Sequence, residues 1–201
     1  MISVGLTGSI ASGKSEVAKL FSIKGIPVFD SDAVVHDLYA EPATRDLIGT
    51  VFPEAIINGK MDRLFLARRV LGLPEELKKL EGLVHPLVRR KREEFITHWQ
   101  RQNCPYAILD IPLLFETGAD REVDYTIVVS ADEDVQKARA MARPGMTEEK
   151  LAHILKRQML DVEKRARADF VIENSGSLEH LQNQVDALSR KLAELAGNQK
   201  P

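Results

Sequence analysis

A single cysteine, Cys104, in a chain of 201 residues excludes an internal disulfide framework and fits a reducing compartment. An excess of one charge is missing too: 28 Lys and Arg stand against 30 Asp and Glu, a formal net charge of -2. Proteins built to hold nucleic acid carry a basic surplus, so the balance argues against that partner. No stretch approaches the ~20 consecutive apolar residues that a bilayer span requires. The opening MISVGLTGS has no basic segment leading into an apolar one, so no signal peptide is expected. None of the histidines shows the spacing of metal ligands. On these absences a cytoplasmic protein is expected, with neither membrane nor nucleic acid as partner.

Apolar residues make up 44% and charged residues 29%, enough for a true core under a charged surface. The length suits one domain carrying insertions. Five short segments are almost continuously apolar: Ile2–Thr7, Pro27–Asp30, Tyr106–Ile111, Tyr125–Ser130 and Asp169–Glu173. Strands covered on both faces of a parallel sheet read this way, and helical periodicities separate them. The expected fold is α/β, a doubly wound five-stranded parallel sheet.

Two interruptions exceed a simple crossover. The expected division is a core of 1–31, 104–131 and 168–201, an insertion of 32–103 and a second helical insertion of 132–167. Insertions on an α/β core commonly serve as substrate-binding segment and mobile cover. Near the end, Leu178, Leu181, Val185, Leu188, Leu192 and Leu195 alternate three and four apart. That spacing fits a heptad dimer or an amphipathic helix on its own sheet. The second needs fewer heptads and is favoured, so a monomer or weak homo-oligomer is expected.

Gly8-Ser-Ile-Ala-Ser-Gly13-Lys14-Ser15 fits G-x-x-x-x-G-K-[ST] between a strand and a helix. Successive amides must curl around an anion there, and glycine permits the backbone that does so. The helix beginning near Lys14 aims its positive end at the same point. Lys14 reaches β- and γ-phosphates, and the Ser15 hydroxyl can ligate Mg²⁺. A nucleoside triphosphate is the expected ligand. No N-K-x-D string selects guanine, and Asp46-Leu-Ile-Gly49 lies in an apparently helical insertion, against a switch GTPase. The strand YAILDIPLLFE carries a lone Asp110 where a motor ATPase would usually carry an acidic pair. A small-molecule kinase remains, with a regulatory nucleotide-binding module as the alternative. After the second strand, Asp30 and Asp32 are two apart. In extended backbone both would point toward the γ-phosphate, where a carboxylate can take the acceptor's proton. Asp32 also suits the N-cap of a helix over Ala33–Tyr39.

The phosphate loop, VFDSDAVVHDLY, NGKMDRLFLARRVLG, LEGLVHPLVRRK, LDIPLLFETG, TIVVSADEDVQKARAMAR and RADFVIENSGS occur in the order of the dephospho-coenzyme A kinases. The chain resembles that family from Met1 to about Leu195. The distinctive parts are Asp62-Arg63, His85-Pro86, Pro112-Leu-Leu-Phe-Glu116 and Asn174-Ser-Gly176. The resemblance implies transfer of the γ-phosphoryl of ATP, with Mg²⁺, to the 3′-hydroxyl of dephospho-CoA. It also implies a CoA-binding insertion at 32–103 and a lid at 132–167.

By the same resemblance Asp32 is the expected general base, with Asp30 or Asp110 supporting Mg²⁺ or water. ATP is assigned to Gly8, Ala11, Ser12, Gly13, Lys14, Ser15, Glu16, Arg139, Arg143 and Asn174. Arg139 and Arg143, four apart, are expected on one helix face as guanidinium ligands, Arg143 the foremost. Arg157 and Arg165 are left as solvated or supporting. The acceptor is assigned to Asp32, Arg63, His85, Pro86 and Leu113, with Pro86 expected in the first turn of a helix. The basic run Arg89–Arg92 could attract the pyrophosphate of the acceptor, with a solvated helix face the favoured reading. Ala11 and Glu16 replace the family's usual Gly and Thr. Ala11 is tolerated at negative φ, and Glu16 when it faces away or pairs with a base.

Overall fold

A continuous aliphatic stretch is stable as a strand only when both of its faces are covered, and each of these five lies among helices. In the computed structural model, which describes residues 1–70 and 72–198, the chain starts with β1 (Ile2–Gly8), α1 (Lys14–Ile23) and β2 (Val28–Asp30). Helices α2 (Ser31–Leu38) and α3 (Pro42–Gly49) follow, then a short hairpin of β3 (Ile56–Ile57) and β4 (Lys60–Met61). After α4 (Arg63–Val70) and α5 (Pro74–Arg101) come β5 (Tyr106–Asp110) and β6 (Tyr125–Ser130). The remainder is α6 (Glu133–Met141), α7 (Glu148–Leu155), α8 (Asp161–Arg167), β7 (Phe170–Glu173) and α9 (Leu178–Asn198).

The main sheet has the order β2-β5-β1-β6-β7, and β1 pairs in parallel with both β5 and β6, as β6 does with β7. From β1 the chain goes to one side for β2 and β5, then to the other for β6 and β7. In open α/β sheets ligands bind where the winding reverses, at the carboxyl ends of the strands. Gly8, the last residue of β1, marks that place.

The pleat sends Ile2, Val4 and Leu6 to one face of β1. There they meet Val17, Leu20 and Phe21 of α1 and Leu181, Val185, Leu188 and Leu192 of α9. Spacings of three and four put each helical set on one stripe, so α9 packs on its own sheet. Each fully buried aliphatic side chain contributes about 1.5–3 kcal/mol. Tyr106 stands edge-on to Phe21 with ring centroids 6.4 Å apart, and its hydroxyl shares a 2.7 Å hydrogen bond with Ser189 Oγ. On the opposite face a Cβ at Gly5 would lie 2.9 Å from Leu114 Cδ2, so glycine there admits the fully buried Leu114.

The chain divides into two compact units, Met1–Phe29 with His98–Pro201, and Asp30–Thr97. The second has its own core of Ile48, Phe52, Ala55, Leu66, Leu80 and Val84. Its hairpin turns at Asn58 (φ 50) and Gly59 (φ 70), two left-handed residues of the kind a tight two-residue turn demands. Asp62 caps α4 by accepting the Phe65 amide at 2.9 Å.

Pro86 departs from expectation. It sits inside α5, not in a first turn, and Pro74 is the proline that opens that helix. An interior proline removes a backbone bond and crowds the carbonyl four residues earlier, a cost of about 3 kcal/mol. That earlier residue is Gly82, where even an added Cβ would meet nothing within 4 Å. Within the basic run, Lys91 pairs with Glu41 at 2.9 Å and Arg90 with Glu94 at 3.7 Å. Among the described residues no helix is long and apolar enough to cross a membrane.

Candidate active site

The loop after β1 is shaped by its glycines and by side chains reaching it from elsewhere. Gly13 has φ 95 and is the N-cap of α1, with Glu16 N donating to its carbonyl at 3.0 Å. A Cβ at Gly13 would fall 1.8 Å from Asn174 Nδ2, and one at Gly8 would fall 2.5 Å from Ser12 Oγ. Only glycine therefore lets the chain pass at both points. Asn174 Nδ2 donates to the Ser12 carbonyl at 2.8 Å, and the Asn174 carbonyl accepts from Arg139 Nη1 at 2.9 Å. Gln158 Oε1 accepts the Ile10 amide at 3.0 Å. Thr7 Oγ1 donates to the Pro112 carbonyl at 2.9 Å, fixing the ends of β1 and β5 together.

Ala11 sits at φ 60, not at the negative φ expected. The left-handed region disfavours a Cβ by roughly 1–2 kcal/mol. Burial of that methyl against Ala140 and Leu151 offsets it. Glu16 lies in the first turn of α1, 3.9 Å from Lys19. Lys14 Nζ pairs with Asp110 Oδ1 at the end of β5, and Ser15 is exposed in the first turn of α1.

Arg139 and Arg143 do not share a helix: α6 ends at Met141, and Arg143 lies past its C-cap, Ala142. The Pro-Gly that follows, Pro144-Gly145, stops the helix. Both arginines nevertheless line one cleft of about 300 Å³ with Ala11, Gly13, Glu16 and Asn174. Thus the loop, two arginines and Asn174 converge around one space. Backbone amides at a helix start, a lysine and two guanidinium groups are the chemistry of polyphosphate binding.

The acidic pair is arranged differently from the extended geometry expected. Asp30 ends β2 and is itself the N-cap of α2, its Oδ1 accepting the Ala33 amide at 2.9 Å. Asp32 is inside the first turn of α2, exposed, and caps nothing. Helical backbone turns the two carboxylates apart, leaving the Asp32 side chain uncommitted to the helix.

Within the unit of residues 30–97, Arg63 Nη2 donates to the His36 carbonyl at 2.8 Å and its guanidinium lies 5.8 Å from the Tyr39 ring centre. Burial pushes the Tyr39 hydroxyl above its ordinary pKa, and the Arg63 charge opposes this. Tyr39, Arg45, Lys60 and Arg63 line a cleft of about 460 Å³. His85 and Pro86 are exposed on α5 outside its lining. Leu113 is half-buried, its carbonyl accepting from Thr117 Oγ1 at 2.7 Å. Among the described residues no group of three or more His, Cys, Asp or Glu is placed to hold a metal by itself.

Gln158, Glu116 and Lys164 had no place among the residues expected at the site. Glu116 Oε1 accepts the Met159 amide at 2.8 Å and lies 2.9 Å from Nζ of the fully buried Lys164. No pattern in KRQMLDVEKRAR announces that; the one available signal was Glu116 inside the distinctive PLLFE stretch.

A parallel sheet that delivers a glycine-bounded amide loop, Lys14 and Ser15 to its carboxyl edge defines a P-loop phosphotransferase. Shikimate kinase from Bacteroides thetaiotaomicron has the same fold at 15% identity and TM-score 0.51.

 The alignment spans 95% of this chain and 98% of the shikimate kinase. The family model described as Dephospho-CoA kinase matches residues 2–180. Dephospho-CoA kinase from Brucella melitensis is 49% identical over 185 residues, 92% of each chain. The crystal structure of TT1252 from Thermus thermophilus superposes with TM-score 0.83 at 42% identity, covering 96% of this chain and 97% of that one. The chain belongs to the dephospho-CoA kinase family, whose members phosphorylate dephospho-CoA in the last step of coenzyme A synthesis.

Proposed function

We propose that this chain transfers the γ-phosphoryl group of ATP to the 3′-hydroxyl of dephospho-CoA, giving coenzyme A and ADP. The carrying observation is the loop from Gly8 to Ser15, with Lys14 and the arginine-lined cleft beside it. Ser12 Oγ is buried there without a hydrogen-bond partner among the described residues, and the loop backbone has room only for glycine at positions 8 and 13. Such a site fits a bound polyphosphate. The assigned ATP contacts are Gly8, Ala11, Ser12, Gly13, Lys14, Ser15, Glu16, Arg139, Arg143 and Asn174.

The Ser15 hydroxyl, exposed at the start of α1, would hold Mg²⁺, with Asp110 in support. Bound there, the ion supplies charge neutralisation at the phosphate oxygens. Lys14 and the guanidinium groups of Arg139 and Arg143 take up negative charge that develops on the transferring group. Asp32 accepts the proton of the 3′-hydroxyl as its oxygen bonds to the γ-phosphorus and the bridging bond to ADP breaks. An exposed carboxylate that caps no helix supports that role. Residues 132–167 act as the lid that excludes water, since hydrolysis of ATP is the competing reaction. Residues 32–103 receive the acceptor, through Arg63 and with His85, Pro86 and Leu113 as further contacts. The cationic cleft of Arg45, Lys60 and Arg63 suits an acceptor that carries a pyrophosphate. The enzyme works as a monomer or weak homo-oligomer in the cytoplasm.

The test is ADP release measured with a panel of acceptors. Release that depends on dephospho-CoA is the expected result, and release indifferent to every acceptor overturns the proposal. In the same assay Asp32→Asn keeps ATP binding and lowers kcat by about 10²–10⁴-fold. An undiminished rate removes Asp32 as the base.

A further inference from the structure

The phosphate loop receives a side chain that its own sequence does not supply. Gln158 follows α7, and its Oε1 accepts the Ile10 amide at 3.0 Å, at the apex of the loop. The position of Gln158 is itself held. The next residue, Met159, donates its amide to Glu116 Oε1 at 2.8 Å. That carboxylate lies 2.9 Å from Nζ of Lys164, whose side chain has no exposed surface. Helix α8, which carries Lys164, is tied down further: Ser130 Oγ donates to Asp161 Oδ2 at 2.6 Å, and Arg167 Nη2 to Asp120 Oδ2 at 2.8 Å. Burying a lysine is costly unless it is paired, so the Glu116–Lys164 pair marks a place where geometry is fixed.

We infer that Gln158 is a positioning residue for nucleotide binding: its carboxamide oxygen holds the Ile10 amide, and the Glu116–Lys164 pair holds Gln158 where it can do so. A loop already curled loses less freedom when an anion arrives. The consequence falls on nucleotide affinity and not on the acceptor. Neighbouring Ala11 adds to the hold, because its methyl packs on Ala140 and on Leu151 of α7. Ala140 and Leu151 thus meet the loop through apolar contact, and Gln158 meets it through a hydrogen bond.

This inference rests on the reading of the loop as the ATP site, and its test separates the two. Gln158→Met keeps length and removes the acceptor oxygen; Gln158→Glu keeps the oxygen. ADP binding is measured by titration calorimetry in the absence of any acceptor, alongside steady-state kinetics and melting temperature. One net hydrogen bond, about 1 kcal/mol, corresponds to roughly a fivefold change. Gln158→Met is expected to raise the ADP Kd and the ATP KM about fivefold together, with the KM for dephospho-CoA held. The Ile10 amide should lose hydrogen-exchange protection in Gln158→Met and keep it in Gln158→Glu. An unchanged ADP Kd overturns the inference, as does an equal rise in both substrates' KM. Should Gln158→Met fail to fold, Gln158→Asn, one methylene short, is judged by the same two criteria. Failure of the parent protein to bind ADP would instead strike the ATP-site reading itself.

Discussion

In the phosphate loop the groups offered to a ligand are main-chain amides, and the side chains around them serve mainly to hold that backbone. Asn174 grips the Ser12 carbonyl, Gln158 the Ile10 amide, and Gly13 passes where a Cβ would fall 1.8 Å from Asn174. In the cleft of residues 30–97 the offered groups are the side chains of Arg45, Lys60 and Arg63. There the backbone serves as the anchor: Arg63 leans on the His36 carbonyl at 2.8 Å and Arg45 on the Gly59 carbonyl at 2.6 Å. Amides have fixed positions once the loop is curled, whereas long cationic side chains can leave a carbonyl for a ligand by changing rotamer. The first arrangement suits a group that must be held in line for transfer; the second suits the remote parts of an acceptor.

Lys14 offers the sharpest way to break that comparison. If amides grip the nucleotide and the lysine chiefly serves transfer, Lys14→Ala should drop turnover below about one-thousandth while ADP still binds within tenfold of the parent. Calorimetry with ADP beside the kinase assay checks it. Loss of ADP binding along with turnover would mean that the side chain, not the backbone, supplies the grip. A smaller effect is expected in the other region. Arg63→Ala removes a charged donor, worth about 1.5–3 kcal/mol in hydrogen bonds to an anionic ligand. The KM for dephospho-CoA should rise at least tenfold with the KM for ATP within twofold. A matching rise in both would merge the two regions into one binding event.

The same contrast explains how much could be read from the chain. The five strands were legible because burial on both faces forces continuous aliphatic stretches, and Ile2–Gly8 and Tyr125–Ser130 are of that kind. The loop was legible because an amide cradle needs glycine at set positions, which restricts the residues that fit. Side chains that act at long range leave no such trace. Gln158 meets Ile10 across 148 positions, and a glutamine in a charged stretch looks like solvent-facing surface. Lys164, fully buried, looked equally solvated in VEKRARA. Local geometry misled at three further points. Asp30 took the cap expected of Asp32, Arg143 fell beyond the end of α6, and Pro86 was carried through α5 beside Gly82. Each depended on where a helix begins or stops, which is decided by a residue or two of tertiary context.

The smallest effect concerns the scaffold behind the loop. Tyr106 has no exposed surface, and burial raises its pKa above the ordinary tyrosine value near 10, with the Ser189 hydrogen bond opposing the shift. The sign follows from which state holds the proton. Below pH ~10 the phenol is protonated folded or unfolded, and the stability tied to it is fully present. Above that, the unfolded chain ionises first, and stability is lost as pH rises toward the folded value. Tyr106→Phe abolishes that titration at the expense of one hydrogen bond, about 1 kcal/mol. Denaturant melts should show the variant slightly weaker than the parent near neutrality, with the gap closing as pH is raised above about 10. A gap that stays constant would mean that Tyr106 does not titrate with unfolding. A changed ADP Kd in this variant would tie the loop's amides to the core beneath them, and the rigidity assigned to Asn174 and Gln158 would then belong partly to the sheet.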